Sequence, residues 1–309
     1  QVDLHAQYGG VFPEVASRVH IESITPVIHE ALSKAHVGLD DLHAVAVTRG
    51  PGLAGSLLVG LNAAKGLALG RALPLLGINH LEGHIYSLWL TEAGATVEFP
   101  VLALVASGGH TELVLMHEHL TYEHLGGTLD DAAGEAFDKV GRMLGLPYPG
   151  GPHVEKAARE GDPHAYQFPR AWLADTWDFS FSGLKTAVLR EIKRQYPGHR
   201  AGVDETPAGL PAPNLAAGFQ QAAIEVLVEK TVQAAEQHAA QAVFVAGGVS
   251  ANLALRDAMR VRAGALPVFT PPLELCTDNA AMIAAAAFYR FEAGQRDGME
   301  IDALPSWPL

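Results

Sequence analysis

The strongest constraint on the fold is a repeated succession of short apolar run, turn and helix-length apolar stretch. Ala44-Val45-Ala46-Val47-Thr48 reads as an apolar strand and runs into Gly50-Pro51-Gly52, which marks a turn. Ser56 opens an apolar helix to about Ala72, Leu75 to Ile78 reads as a second strand, and another helix starts at His80. Strands that alternate with helices pair in parallel, because the crossover helix returns the chain to the same end of the sheet. An α/β lobe follows. Ahead of it, Pro13 to His36 reads as a helix that Pro26 should bend or split, since proline lacks an N–H and crowds the preceding turn.

From Pro100 the pattern changes. Val101–Ala106 and Thr111–Met116 are two β runs broken by Ser107-Gly108-Gly109-His110, close enough to pair as a hairpin. The chain therefore divides into a first lobe, residues 1–97, and a second, residues 98–309, whose final helix is expected to pack back towards the first. Helices are expected at about Asp130–Leu144 and Val154–Arg159, and the aromatic, proline-rich stretch from Gly161 to Ser182 reads as an ordered insertion or lid. Pro197 to Pro213 is the candidate mobile loop. A long helix from Asn214, strands at Ala242–Ala246 and around Val268-Phe269-Thr270, and helices from Asn252 and Asp278 complete the second lobe.

Bulk properties narrow the function classes. A single cysteine, Cys276, precludes an intramolecular disulfide and favours a reducing compartment, and no stretch is apolar enough to span a membrane, so a cytoplasmic protein is expected. The net charge of −13 argues against coating nucleic acid by bulk electrostatics. Local basic clusters remain, one of Arg190, Lys193, Arg194 and Arg200, the other of Arg256, Arg260 and Arg262. Either cluster also reads as an ordinary solvated helix face.

Within this frame, His80 and His84 stand four apart at the start of a helix, which puts both imidazoles on one face about a turn apart, as in a metal clamp. Two ligands are too few for a stable site. Asp278 has two readings: with Thr277 it is a candidate N-cap of the last helix, or it completes a His-His-Asp set with open positions for substrate. Glycine turns recur at Ser107-Gly108-Gly109-His110, Pro149-Gly150-Gly151-Pro152 and Gly247-Gly248-Val249-Ser250, the last between a strand and a helix, where backbone N–H groups can approach an anion. In Asp130 to Lys139, a helix would align Asp131, Glu135 and Asp138 on one face, fit for ribose hydroxyls or a cation, or simply solvated.

The ordered set His80-Leu81-Glu82-Gly83-His84, Ser107 to Thr111, Asp130 to Lys139, Tyr148 to Pro152, Phe179-Ser180-Phe181-Ser182-Gly183-Leu184-Lys185-Thr186, Gly247 to Asn252 and Cys276 to Asn279 resembles the TsaD family, the tRNA N6-adenosine threonylcarbamoyltransferases. The resemblance implies an α/β, actin-like ATPase (ASKHA) two-lobed fold with the active site between lobes. It implies one divalent iron or zinc on His80, His84 and Asp278, and an adenylate-containing donor held by Val105, Ala106, Ser107, Gly108, Gly109, Asp138, Gly151, Asn252 and, where many members carry Asp, Glu155. The reaction implied is transfer of threonylcarbamoyl from threonylcarbamoyl-AMP to the adenosine 3′ of the anticodon in tRNAs reading A-starting codons. His110 is the candidate proton acceptor by its position in the motif. The implied partners are tRNA, a paralogous dimerisation subunit and a small ATPase, with no membrane. Family members carry a further N-terminal strand and turn of the Gly-Ile-Glu-Thr-Ser-Cys-Asp-Glu-Thr type, and this sequence starts after it, so either it is a fragment or an unpaired sheet edge with impaired catalysis and solubility is expected.

Competing readings are a zinc peptidase, a non-catalytic scaffold subunit of the same complex, and a sugar or acetate kinase of the same superfamily. The peptidase pattern needs Glu directly after the first His, where Leu81 stands here, and the kinases need no paired-histidine clamp.

Overall fold

A computed structural model describes residue 1, residues 4–5 and residues 10–309. The chain forms two compact units, Gln1–Leu90 with Asn279–Leu309, and Thr91–Asp278. The first change of unit falls at residues 90 and 91, ahead of the sequence-based division at 97 and 98, and the second falls just before the last helix, the one expected to pack back towards the first lobe.

In the first unit, α1 is Pro13–Ala35, β1 Val45–Gly50, α2 Ala54–Arg71, β2 Leu75–Asn79 and α3 His80–Tyr86. The strands β1 and β2 pair in parallel, with Val45 opposite Leu75 and Thr48 opposite Ile78, as the intervening helix requires. Leu61, Ala64 and Ala68, spaced along one face of α2, pack with Leu75 and Ile301. Pro26 does not split α1, which runs through it for 23 residues. Both Pro26 and Glu22, the residue whose carbonyl loses its helical partner, are exposed, so water replaces the missing bond.

The second unit runs β3 Val101–Ala106, β4 Thr111–Glu118, β5 Thr121–Gly127, α4 Ala133–Met143, α5 Gly150–Ala158, α6 Ser182–Gln195, α7 Ala212–Gln237, β6 Ala242–Ala246, α8 Leu253–Ala263, β7 Val268–Phe269 and α9 Leu273–Cys276. Its sheet has the order β5-β4-β3-β6-β7; β3–β4 and β4–β5 are antiparallel, β3–β6 and β6–β7 parallel. The expected hairpin is β3–β4. The central strands β3 and β6 are buried along their whole length, which is why both read as unbroken apolar runs. Helix α7 supplies much of the core, with Phe219, Leu227 and Val232 buried and Phe137 of α4 edge-on to Phe219 at 5.0 Å.

The chain then returns to the first unit as α10, Ala280–Glu292, which packs on α3. Gly83 makes that approach possible: a Cβ there would stand 2.7 Å from Ile283 Cδ1. Tyr86 and Tyr289 pack with ring centroids 4.9 Å apart beside it. No described helix is long and apolar enough to cross a membrane.

Candidate metal centre and glycine turns

The short helix α3 is fixed at its start by Asn79, whose side chain accepts from Leu81 N–H at 2.9 Å and donates to the Trp307 carbonyl at 3.2 Å. On it, His80 is half-buried and His84 buried, their ring centroids 4.7 Å apart at an interplanar angle of 74°. Asp278 joins them: one ligand atom from each of His80, His84 and Asp278 lies within 4.8 Å of the other two. Donors sharing one ion stand at most about 4 Å apart, so small side-chain rotations fit this set to a metal. The reading of Thr277 or Asp278 as N-cap is corrected. Asn279 caps α10, accepting from Met282 N–H at 2.9 Å, and Asp278 is the exposed residue immediately before it.

Glu82, between the histidines, is fully buried and accepts from Arg290 Nε of α10 at 2.8 Å. In the sequence this glutamate stands only as a member of the His80 to His84 motif, one place after the Leu81 that occupies the peptidase position. Its side chain is closed off from solvent against Arg290. It clamps the helix that carries both histidines to the helix that begins beside Asp278. Arg290, two hundred residues away in the chain, gave no signal in the sequence.

In the second unit the glycine turns are built by close backbone packing. Gly247 sits at φ 84 against β3, where a Cβ would lie 2.4 Å from the Ala106 carbonyl oxygen, so the turns after β3 and β6 are neighbours. Ser107 organises its own turn, its hydroxyl accepting from His110 N–H at 3.2 Å while its N–H donates to the His110 carbonyl at 2.8 Å. The start of α4 docks on that turn: Gly134 N–H donates to the Ser107 carbonyl at 3.1 Å, and Ala133 N–H to Thr111 Oγ1 at 2.8 Å. A Cβ on Gly134 would stand 2.5 Å from the Ser107 carbonyl oxygen. By contrast, Cβ atoms at Gly108, Gly109, Gly151 and Gly248 would meet nothing within 4 Å, so these turns open on free space. Val105 and Ala106 lie in the sheet, fully buried; they can set the position of Ser107 to Gly109 but offer a ligand no side chain.

The expected acidic face is not formed as such. Helix α4 begins at Ala133, so Asp131 precedes it, and its carboxylate is engaged by Lys139 and Lys185. Burial alone would raise the Asp131 pKa, but hydrogen bonds from Lys139, Lys185 and Ser182 outweigh it and hold the group below its ordinary range. Glu135 pairs with Lys139 at 2.8 Å. Only Asp138 remains turned to a glycine turn, accepting from Gly150 N–H at 2.7 Å, and burial pushes its carboxyl up despite the Gly150 and Gly151 hydrogen bonds. The fold thus favours the protonated form of Asp138 more than the unfolded chain does, and ionisation at neutral pH costs stability. Asp138→Asn is expected to raise the melting temperature at pH 7 and to lose that advantage as the pH falls through the raised pKa; a flat difference across that range would contradict it.

Asn252 and Glu155 are tied into the same region. Asn252 caps α8, accepting from Leu255 N–H at 3.0 Å and donating to Gln220 Oε1 at 2.8 Å. Glu155 accepts from Leu253 N–H at 3.2 Å and pairs with Arg159 at 2.6 Å, linking α5 to the start of α8. The Phe179 to Thr186 stretch is anchored through Asp130, which accepts from Ser180 Oγ at 2.6 Å and Phe181 N–H at 2.9 Å.

Comparison with known proteins agrees with this assembly. A family model described as tRNA N6-adenosine threonylcarbamoyltransferase matches residues 1–285. The chain is 55% identical over 311 residues to the tRNA N6-adenosine threonylcarbamoyltransferase of Symbiobacterium thermophilum, covering 100% of this chain and 88% of that protein. It is 52% identical over 324 residues to the protein of the same name from Thermomicrobium roseum, with the same coverage of 100% and 88%. Among solved structures it resembles full-length HypF in the phosphate- and nucleotide-bound form, with TM-score 0.60 and 13% identity over 86% of this chain. T. kodakarensis HypF gives TM-score 0.57 and 13% identity over 82% of this chain. The chain spans 41% of the length of each HypF structure, and at that identity the likeness concerns the fold, which is of the actin-like ATPase (ASKHA) class. By sequence over nearly its whole length, the chain belongs to the tRNA N6-adenosine threonylcarbamoyltransferase family.

Proposed function

We propose that this chain transfers threonylcarbamoyl from threonylcarbamoyl-AMP to N6 of the adenosine 3′ of the anticodon in tRNAs reading A-starting codons, in the cytoplasm. The observation that carries the reading is the gathering of His80, His84 and Asp278 within 4.8 Å in a chain of this family. Two imidazoles and a carboxylate suit a divalent iron or zinc, which when bound supplies Lewis-acid polarisation of an acyl oxygen.

The other assignments concern the chain's own groups. Gly108, Gly109 and Gly151 lie on turns that open on free space, and there their backbones can approach the adenylate without a side chain intervening. Ser107 holds the first of these turns in shape, with Val105 and Ala106 behind it in the sheet. Asp138 braces the second through Gly150, while Asn252 and Glu155 set the start of α8 beside the third. His110, half-buried at the end of the first turn, is assigned as acceptor of the amine proton. Orientation of donor and acceptor supplies the rest of the rate, and no protein nucleophile is required. The partners assigned with it are tRNA, a paralogous dimerisation subunit and a small ATPase.

The test is transfer of labelled threonylcarbamoyl to unmodified tRNA by the chain together with those partner proteins. Transfer should be lost on chelation and return with iron or zinc. Undiminished transfer by a fully metal-depleted protein would overturn the metal assignment, and no transfer under any metal would overturn the activity.

A further inference from the structure

The chain's charge of −13 repels polyanions, yet residues 185–200 run the other way, with Lys185, Arg190, Lys193, Arg194 and Arg200 against Glu191 alone. Some of these are engaged. Lys185 holds Asp131, Arg200 closes on Asp204 at 2.7 Å, and Arg194 is gripped by Glu191 at 2.9 and 2.6 Å. Arg190 and Lys193 are exposed, and their spacing puts them on one face of α6 with Arg194.

That face borders an aromatic wall. Tyr166 and Phe168 are stacked, with ring centroids 6.1 Å apart at 20°, and Gln195 Nε2 of α6 fixes the Tyr166 hydroxyl at 3.0 Å. Tyr166 and Gln167 line two cavities, one of about 310 Å³ that reaches Arg170 and Gln221, and one of about 260 Å³ that reaches Arg190 and Arg194. Arg170 is neutralised by Glu225 at 2.6 Å, so positive charge is concentrated on the α6 side.

We propose that this trough is a docking surface for tRNA, with Arg190 and Lys193 on backbone phosphates and an unpaired base seated against Tyr166. The inference rests on the tRNA-modifying function proposed above and adds a place on this chain where the RNA is held. Single-stranded RNA is recognised by base stacking on aromatic rings flanked by cations, and cation, ring and cavity occur here together. A solvated helix face would need neither the ring nor the cavities. An acidic protein partner would use the charges without the ring.

The test measures binding of an unmodified transcribed tRNA to the full chain between about 50 and 200 mM salt. Replacing both Arg190→Ala and Lys193→Ala should reduce the slope of log affinity against log salt by about 1–2. Tyr166→Leu should weaken binding about five- to a hundredfold and leave the slope unchanged. Arg260→Ala, which removes an exposed charge from α8, should leave the slope as it was. In the transfer assay the Arg190/Lys193 double variant should show a raised KM for tRNA with kcat and metal content retained. An unaltered slope in the double variant, or an equal fall with Arg260→Ala, would overturn the docking surface. Loss of slope without any effect of Tyr166→Leu would replace RNA by an acidic partner and overturn it equally. The proposed function fails separately, if the unaltered chain binds tRNA with this salt dependence and yet transfers nothing.

Discussion

Arg290→Leu is expected to destabilise the protein by about 3–5 kcal/mol, because it removes the Arg290 partner of a fully buried carboxylate. Glu82 has no exposed side-chain surface, whereas the Arg290 side chain is 24% exposed, so water reaching the vacated space places the cost at the lower end of that range. Leucine also leaves unfilled volume where the guanidinium lay, between Glu82 and Gln295. The charge term is separated from the packing term by the double variant Glu82→Met with Arg290→Leu, which removes both ions and should recover most of the loss. Chemical denaturation of the two variants and the parent checks this. If the double variant is no more stable than Arg290→Leu alone, packing rather than the ion pair holds α10 on α3. The same substitution should weaken metal binding without touching a ligand, since Glu82 and Arg290 join the helix that carries His80 and His84 to the helix that starts beside Asp278.

The reasons why this clamp was invisible in the sequence are physical. A glutamate between two histidines has no periodicity that reveals burial, and its partner's identity depends on how two helices pack, not on spacing. The same holds for Gly83, whose role is legible only once Ile283 stands against it. Local signals fared better where the chemistry was local. The strands β2, β3, β4 and β6 are apolar runs buried along most of their length, β1 is half-buried, and the pairing sense of β1 with β2 and of β3 with β4 followed from what separates them. The strand β5 was missed because Thr121-Tyr122-Glu123-His124 is an edge segment with polar residues at most positions, held by its ladder with β4 and not by an apolar face. Pro26 was over-read, since an exposed helix tolerates the lost bond. The acidic stretch was over-read in another way: its helix begins two residues after Asp131, and lysines from two helices take that carboxylate. Cap assignment slipped by one residue, from Asp278 to Asn279, and that slip has a consequence: the cap and the candidate ligand are different side chains, so one residue does not have to serve both roles.

His84→Ala should reduce metal affinity by more than the roughly 10–100-fold typical of losing an outer-shell partner, and should abolish transfer with it. The three candidate ligands are not equivalent in burial, with His84 buried, His80 half-buried and Asp278 exposed, and that gradient predicts how the variants differ. His84→Ala removes a buried ring and leaves a cavity, so it should also cost about 2–4 kcal/mol of stability, comparable with other large-to-small core changes. His80→Ala should lose metal equally with a smaller penalty, because part of its ring already faces solvent. Asp278→Asn should leave the cap of α10 in place, since that cap is its neighbour Asn279. Metal content measured alongside denaturant unfolding of the metal-free proteins distinguishes these cases. Metal retained at full stoichiometry in both His80→Ala and His84→Ala would refute the shared site, whatever happened to stability. If instead Asp278→Asn alone kept its metal, the centre would be a two-histidine site completed by some other donor, and the grouping of the three side chains would reflect the start of α10 and not coordination.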